Sequence, residues 1–226
     1  MLEAGFDSVE LGASSLLAHY DAYAALRPKS MNLFFPGSIR LFGPEATEWR
    51  PYVDEMLPAA ASVGAEVLVV GSGGQRRAPE HWSAADRDAA FAEFVAEMQA
   101  LAPAGLRLAP EALNATETNT GNSLPRLAEA LAVRGCGYTA DSYHSLFEMG
   151  EAVDWDAEIP FCPTHVHLGN RSRKGISADD PELIGFARRV RELGFDGIAS
   201  IEVARAEDMA SALAAWLRDV RTLLAA

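Results

Sequence analysis

Short apolar runs and longer stripes at helical spacing alternate along the whole chain. Ser8 to Leu11, Met31 to Phe35, Glu66 to Val70, Leu106 to Leu113, Gly137 to Tyr143, Thr164 to Leu168 and Gly197 to Val203 read as strands. Between them, Leu16 to Leu26 reads as a short helix closed by Pro28, and Trp49, Tyr52, Val53, Met56, Leu57 and Ala60 pattern a second, with Thr47 as its N-cap. Further stripes run through Phe91, Phe94, Val95, Met98 and Leu101, and through Leu124, Leu127, Leu131 and Val133. Ile184, Phe186, Val190 and Leu193 pattern a helix that stops at Gly194, and Met209, Leu213, Trp216, Val220 and Leu224 end the chain on an amphipathic face. Strand and helix alternating throughout dictate a parallel sheet, and the β-branched run Glu66 to Val70 is of the kind buried on both faces.

Seven strands are visible in this pattern. Met1 to Gly5 reads as the last turn of a helix, with Gly5 as its stop. A (β/α) barrel of eight units would need a strand and most of a helix before that point, so the expected fold is an α/β barrel lacking its first strand and most of its first helix. Its outer strands, those of Glu10 and Glu202, would then present open edges. Two explanations are expected: a start codon assigned too late, or a contact within a homo-oligomer that covers the gap.

Composition narrows the class. The 226 residues are 49% apolar and 23% charged, enough for one full-sized domain over residues 1–226. No run of about 18 apolar residues and no basic-then-apolar leader occurs, which points to a soluble, cytoplasmic protein without membrane association. Cys136 and Cys162 have neither metal nor redox spacing and read as reduced thiols. A net charge of −13 argues against nucleic acid or an anionic membrane as partner, because neutralising phosphates takes a basic face.

Candidate chemistry sits at the strand ends. Four expected strands close on Glu111, Asp141, His167 and Glu202, spaced by roughly one strand-plus-helix unit of about 25 to 35 residues. Parallel strands put these ends on one side of the sheet, where the four can converge. Alternation supports inward orientation: Ser200 and Glu202 share one face against Ile201 and Val203, and His165 and His167 share one against Val166 and Leu168. A lone buried carboxylate is costly unless paired or coordinating, so Glu111, Asp141, His167 and Glu202 together make a divalent-metal site, and Mn²⁺, Mg²⁺, Co²⁺ or Zn²⁺ would suit it. Such an ion could clamp two oxygens of a hydroxy-carbonyl substrate and stabilise an enediolate after a proton leaves. Glu111 and Glu202, on separate strands, are the candidate acid and base.

These residues resemble the xylose isomerase-like TIM barrels of sugar isomerases and epimerases, including ketose 3-epimerases. Gly5 to Leu11, Pro110 to Asn119, Asp141-Ser142-Tyr143-His144, His165-Val166-His167 and Gly194-Phe195-Asp196-Gly197 carry the likeness, in order, over nearly the whole chain. The resemblance implies metal ligands at Glu111, Asp141, His167 and Glu202, proton transfer by the two glutamates, and substrate contacts at Glu117, His144 and Arg173. Plainer roles stand beside the last three: a helix N-terminal charge for Glu117, a capped loop histidine for His144 and a solvated loop for Arg173. Arg76 and Arg77 read as a structural turn, and Phe34, Phe35 and Trp82 as wall or core. The expected activity is a metal-dependent isomerase or epimerase of a small sugar or hydroxy-ketone. Three rivals stay open: a lyase or dehydratase on the same scaffold, an endonuclease IV-like phosphodiesterase, and a non-catalytic binding barrel. The phosphodiesterase would want further histidines, and Glu182 stands where one would be needed.

Overall fold

A computed structural model of the chain describes residues 4–150 and 153–225. Its strands are β1 (Glu10–Gly12), β2 (Ser30–Asn32), β3 (Val67–Val70), β4 (Arg107–Pro110), β5 (Thr139–Asp141), β6 (His165–Leu168) and β7 (Ile198–Ile201). The helices are α1 (Tyr20–Leu26), α2 (Arg50–Ser62), α3 (Ala84–Leu101), α4 (Leu124–Ala132), α5 (Ser142–Met149), α6 (Trp155–Glu158), α7 (Pro181–Glu192) and α8 (Met209–Leu224). Every ladder is parallel and follows chain order, β1 to β4 in one sheet and β5 to β7 in a second. A single bridge, Glu111 to Thr139, and a hydrogen bond of 2.8 Å from Thr139 Oγ1 to the Ala109 carbonyl join the two sheets.

Alternation sorts the side chains into two layers. Leu68, Val70, Leu108, Ala140, Val166 and Leu168 join a large apolar cluster with the helices. Val67, Val69 and Ala109 form a separate inner cluster on which Ile198 packs. Since β7 is far from β3 and β4 along the ladders, this contact requires the sheet to curl until its two ends face each other. Ser200 Oγ donates to Glu10 Oε2 over 2.9 Å, which ties β7 to β1 through side chains. Among the described residues, no backbone ladder pairs β7 with β1.

Several expected boundaries move. The second strand ends at Asn32 instead of Phe35, because Leu33 takes a left-handed conformation (φ 47°) and turns the chain. Phe34 and Phe35 then leave the sheet to stack edge-on with each other and beside Tyr52. Thr47 is not an N-cap. Its Oγ1 accepts from the Arg40 amide at 3.0 Å, and α2 begins after Trp49 with Pro51 in its first turn. Val133 lies beyond α4 and is 85% exposed, off the apolar face assigned to it. The single turn α6 and the two-turn α5 are too short to show a periodic stripe. The expected helical turn at Met1 to Gly5 falls largely outside the described residues; Gly5 itself has φ 94°, which suits a stop.

Candidate active site

The strand ends converge. One ligand-type atom from each of Glu111, Asp141, His167 and Glu202 lies within 4.8 Å of all the others. Glu111, Asp141 and His167 are buried, and Glu202 is partly exposed toward the mouth. His167 Nδ1 lies 2.8 Å from Glu111 Oε1, 2.7 Å from Glu202 Oε2 and 3.6 Å from Asp141 Oδ2. An imidazole nitrogen carries at most one proton, so it can satisfy only one of three carboxylates. Asp141 Oδ2 and Glu202 Oε2 are left buried without a hydrogen-bond partner. Crowded, under-satisfied oxygens around one ring nitrogen are the donor set that a divalent cation takes.

Local structure prepares each group. Asp141 ends β5 and N-caps α5, with Oδ1 accepting from the His144 amide at 3.0 Å, which leaves Oδ2 to the cluster. Glu111 follows Pro110 at the end of β4, and Gly71 lies against it. A Cβ at Gly71 would come within 2.9 Å of Glu111 Oε2. Gly71 has no positive φ, so its backbone tolerates alanine and only the carboxylate must move. Gly71→Ala is therefore expected to weaken divalent-metal affinity by about 10-fold while changing stability by no more than about 1 kcal/mol, read by chelator competition and thermal melting.

Electrostatics follow from the crowding. Burial pushes the Glu111 carboxyl well above the usual carboxylate range, and the Asp141 and Glu202 carboxylates add to it against the pull of His167. Burial would lower the His167 ring, yet Glu10, Glu111 and Asp141 together hold it well above an ordinary imidazole. Asp141 shows the opposite balance: burial is outweighed by His167 and His144, and its carboxyl is held low.

The residues assigned by resemblance to substrate lie beside this cluster. His144 is buried, and its Nδ1 accepts from the Asn114 amide at 3.2 Å. With Nδ1 accepting, the ring's proton sits on Nε2, and burial lowers its pKa below that of an ordinary imidazole. That Nε2–H faces Arg173 Nη2 at 3.3 Å, donor against donor, an arrangement that an acceptor oxygen from outside would satisfy. Arg173 also lies 3.2 Å from Glu202 Oε1 and 3.7 Å from Asp141 Oδ2, with its guanidinium stacked 4.1 Å over Tyr143. Its side chain is partly buried against these carboxylates, not free in solvent. Glu117 is exposed in a turn, not at a helix N-terminus, and its Oε1 accepts from Asn114 Nδ2 at 3.1 Å, 4.0 Å from His144 Nδ1.

Some contributors have no clear signature in the sequence. Arg76, expected in a structural turn, is 1% exposed. Its Nη1 donates to the Glu111 carbonyl at 2.8 Å and the Val70 carbonyl at 3.3 Å, over the Phe91 ring, and burial lowers its pKa to about 10. It thereby clamps the ends of β3 and β4 where Glu111 emerges. Glu10 reads in the sequence only as part of a strand, but a second acidic–imidazole group gathers Glu10, His165 and His167. A signal for it exists, as a carboxylate between the outward-facing Val9 and Leu11 must point inward. Glu182 pairs with Arg171 at 2.6 Å in the first turn of α7, and the two groups above are the only metal-type clusters among the described residues.

Parallel, chain-ordered strands that curl on themselves define a (β/α) barrel, and the acidic–imidazole cluster lies at the C-terminal strand ends, where that fold ordinarily carries its active site. The chain belongs to the xylose isomerase-like TIM barrel family, whose model matches residues 1–220. No curated sequence matches it. Among solved structures it is similar to a D-psicose 3-epimerase determined in the presence of D-fructose, with a TM-score of 0.79 at 15% identity over 99% of this chain and 91% of that one. It is also similar to the 3-keto-D-glucoside 4-epimerase of E. coli, with a TM-score of 0.76 at 20% identity over 98% and 91%. A third, the IOLI protein with a bound zinc atom, aligns with a TM-score of 0.68 at 15% identity over 99% and 91%. At these identities the likeness establishes the fold. No described helix is long and apolar enough to cross a membrane.

Proposed function

We propose that residues 1–226 form one domain that acts as a divalent-metal-dependent isomerase or epimerase of a small ketose or hydroxy-ketone, in the cytoplasm. The observation that carries this reading is the convergence of Glu111, Asp141 and Glu202 on a single nitrogen of His167, with two buried oxygens unpartnered. Those four residues would hold the cation, which when bound supplies Lewis acidity to a substrate carbonyl. Ketose chemistry is supported by the epimerase named among the similar folds and by its determination with D-fructose.

Glu111 and Glu202, at different sides of the cluster, would carry the proton transfer. Each turns one oxygen to His167, while Glu111 Oε2 lies toward Gly71 and Glu202 Oε1 toward Arg173. One carboxylate takes the proton from the carbon beside the carbonyl, and the bond's electron pair passes into the carbonyl to leave an enediolate. The other glutamate, carrying a proton, returns one to carbon on its own side, which inverts that centre. His144 Nε2–H and Arg173 donate to substrate oxygens, with Glu117 accepting from a hydroxyl at the rim.

The test is metal analysis of protein purified without chelator, followed by exchange of substrate C–H for deuterium over a panel of ketoses. Stoichiometric metal and exchange next to the carbonyl that stops on chelation are expected. Absence of metal would overturn the reading, and release of a β-leaving group in place of exchange would make the chain a lyase.

A further inference from the structure

Glu10 stands outside the four-residue centre, yet it touches one of its members. Its Oε1 lies 2.9 Å from His167 Nε2, on the side of the ring away from Glu111, Asp141 and Glu202. Its Oε2 lies 2.9 Å from His165 Nε2 and accepts from Ser200 Oγ at 2.9 Å. β1 pairs by ladder only with β2, so Glu10 reaches β6 and β7 through the barrel interior and not along the sheet. Its side chain is 10% exposed, and His165 is fully buried. A carboxylate at that depth is sustained by donors, and His165 and Ser200 supply two.

Resting on the metal reading above, the geometry points to Glu10 as a positioning residue for His167. An imidazole that binds a cation through one nitrogen keeps its proton on the other, and an acceptor carboxylate decides which. His167 Nδ1 faces the three acidic oxygens, so its proton must reside on Nε2 when Nδ1 is a ligand, and Glu10 is the only carboxylate beside Nε2 among the described contacts. The contact lies off the ring N–H direction here and counts as an ion pair. His165 and Ser200 fix Glu10 independently of it, so the acceptor waits in place. A second cation among Glu10, His165 and His167 is disfavoured because donors from His165 and Ser200 already engage Glu10 Oε2.

Zinc titration with chelator competition on the wild type, Glu10→Gln and Ser200→Ala tests this, with nitrogen NMR of the His167 ring on both zinc-loaded and zinc-free protein. Glu10→Gln is expected to raise the zinc dissociation constant by about 10- to 100-fold and to move the Nε2 resonance, with Ser200→Ala shifting both in the same direction by less. Should Glu10→Gln fail to fold, Ser200→Ala carries the test alone. Unchanged affinity and an unchanged Nε2 resonance in a folded variant would overturn the assignment. So would two zinc ions per wild-type chain with one lost in Glu10→Gln, which would make Glu10 a ligand. A wild type that binds no zinc sinks the metal reading instead, and the Nε2 resonance of the zinc-free protein still reports whether Glu10 controls the ring.

Discussion

Glu111→Gln is expected to reduce substrate C–H exchange by about 10³-fold or more and to remove stoichiometric metal, while the metal-free protein keeps its melting temperature or gains a little. The amide fills the same space, so the core around β4 is not opened. What disappears is a negative charge that faces two other carboxylates, Asp141 and Glu202, in a buried site. Relief of the cost of burying that charge, to which the repulsion adds against the pull of His167, favours the metal-free fold. The same change deprives a cation of one of three anionic donors and leaves the carbon-bound proton without its acceptor. Exchange retained at wild-type rate, with metal bound, would remove Glu111 from both roles.

Chelation is expected to lower the melting temperature by about 10 °C when metal had been present at about a thousandfold over its dissociation constant, a stabilisation of about 4 kcal/mol. That difference should widen as pH rises. In the folded, metal-free chain the Glu111 carboxyl and the His167 ring hold protons well above their ordinary values of 4.5 and 6.5. Groups raised in this way contribute stability in full below their ordinary values and lose it as pH climbs through the folded ones. The chelated protein thus weakens from just above pH 4.5 upward. Bound metal displaces the same protons, so the loaded protein is spared that loss. Asp141 and Glu10 act in the other direction, since their depressed carboxyls stabilise the fold above the ordinary range and release it on acidification. Melting curves with and without chelator across that range would show the trend, and parallel curves would contradict it.

How much of this is legible in the sequence depends on the range of the interaction. Strand alternation is a two-residue rule, and that rule alone turns His165 with His167, and Ser200 with Glu202, to the inner face on which they stand. The ends of β4, β5, β6 and β7 can be placed because an apolar run breaks there on an ionisable residue. Arg76 cannot be placed, because nothing in Gly71 to Arg77 says that the loop folds back to bury a guanidinium on Phe91. Nor can the turn at Leu33, where a residue that ordinarily favours negative φ adopts 47°. Glu10 lies between these cases: its inward direction is readable, but its partner 155 residues away is not.

The seam between the two sheets gives the centre a mechanical side. β4 and β5 share one bridge, whereas each flanking pair of strands shares a ladder. Glu111 stands on one bank of that seam, and Asp141, His167 and Glu202 stand on the other. A cation drawing all four together would act as a clasp across that thinly bridged seam. Amide hydrogen exchange along Thr139–Asp141 would then slow on loading, so that a change in the backbone reports an event confined to four side chains.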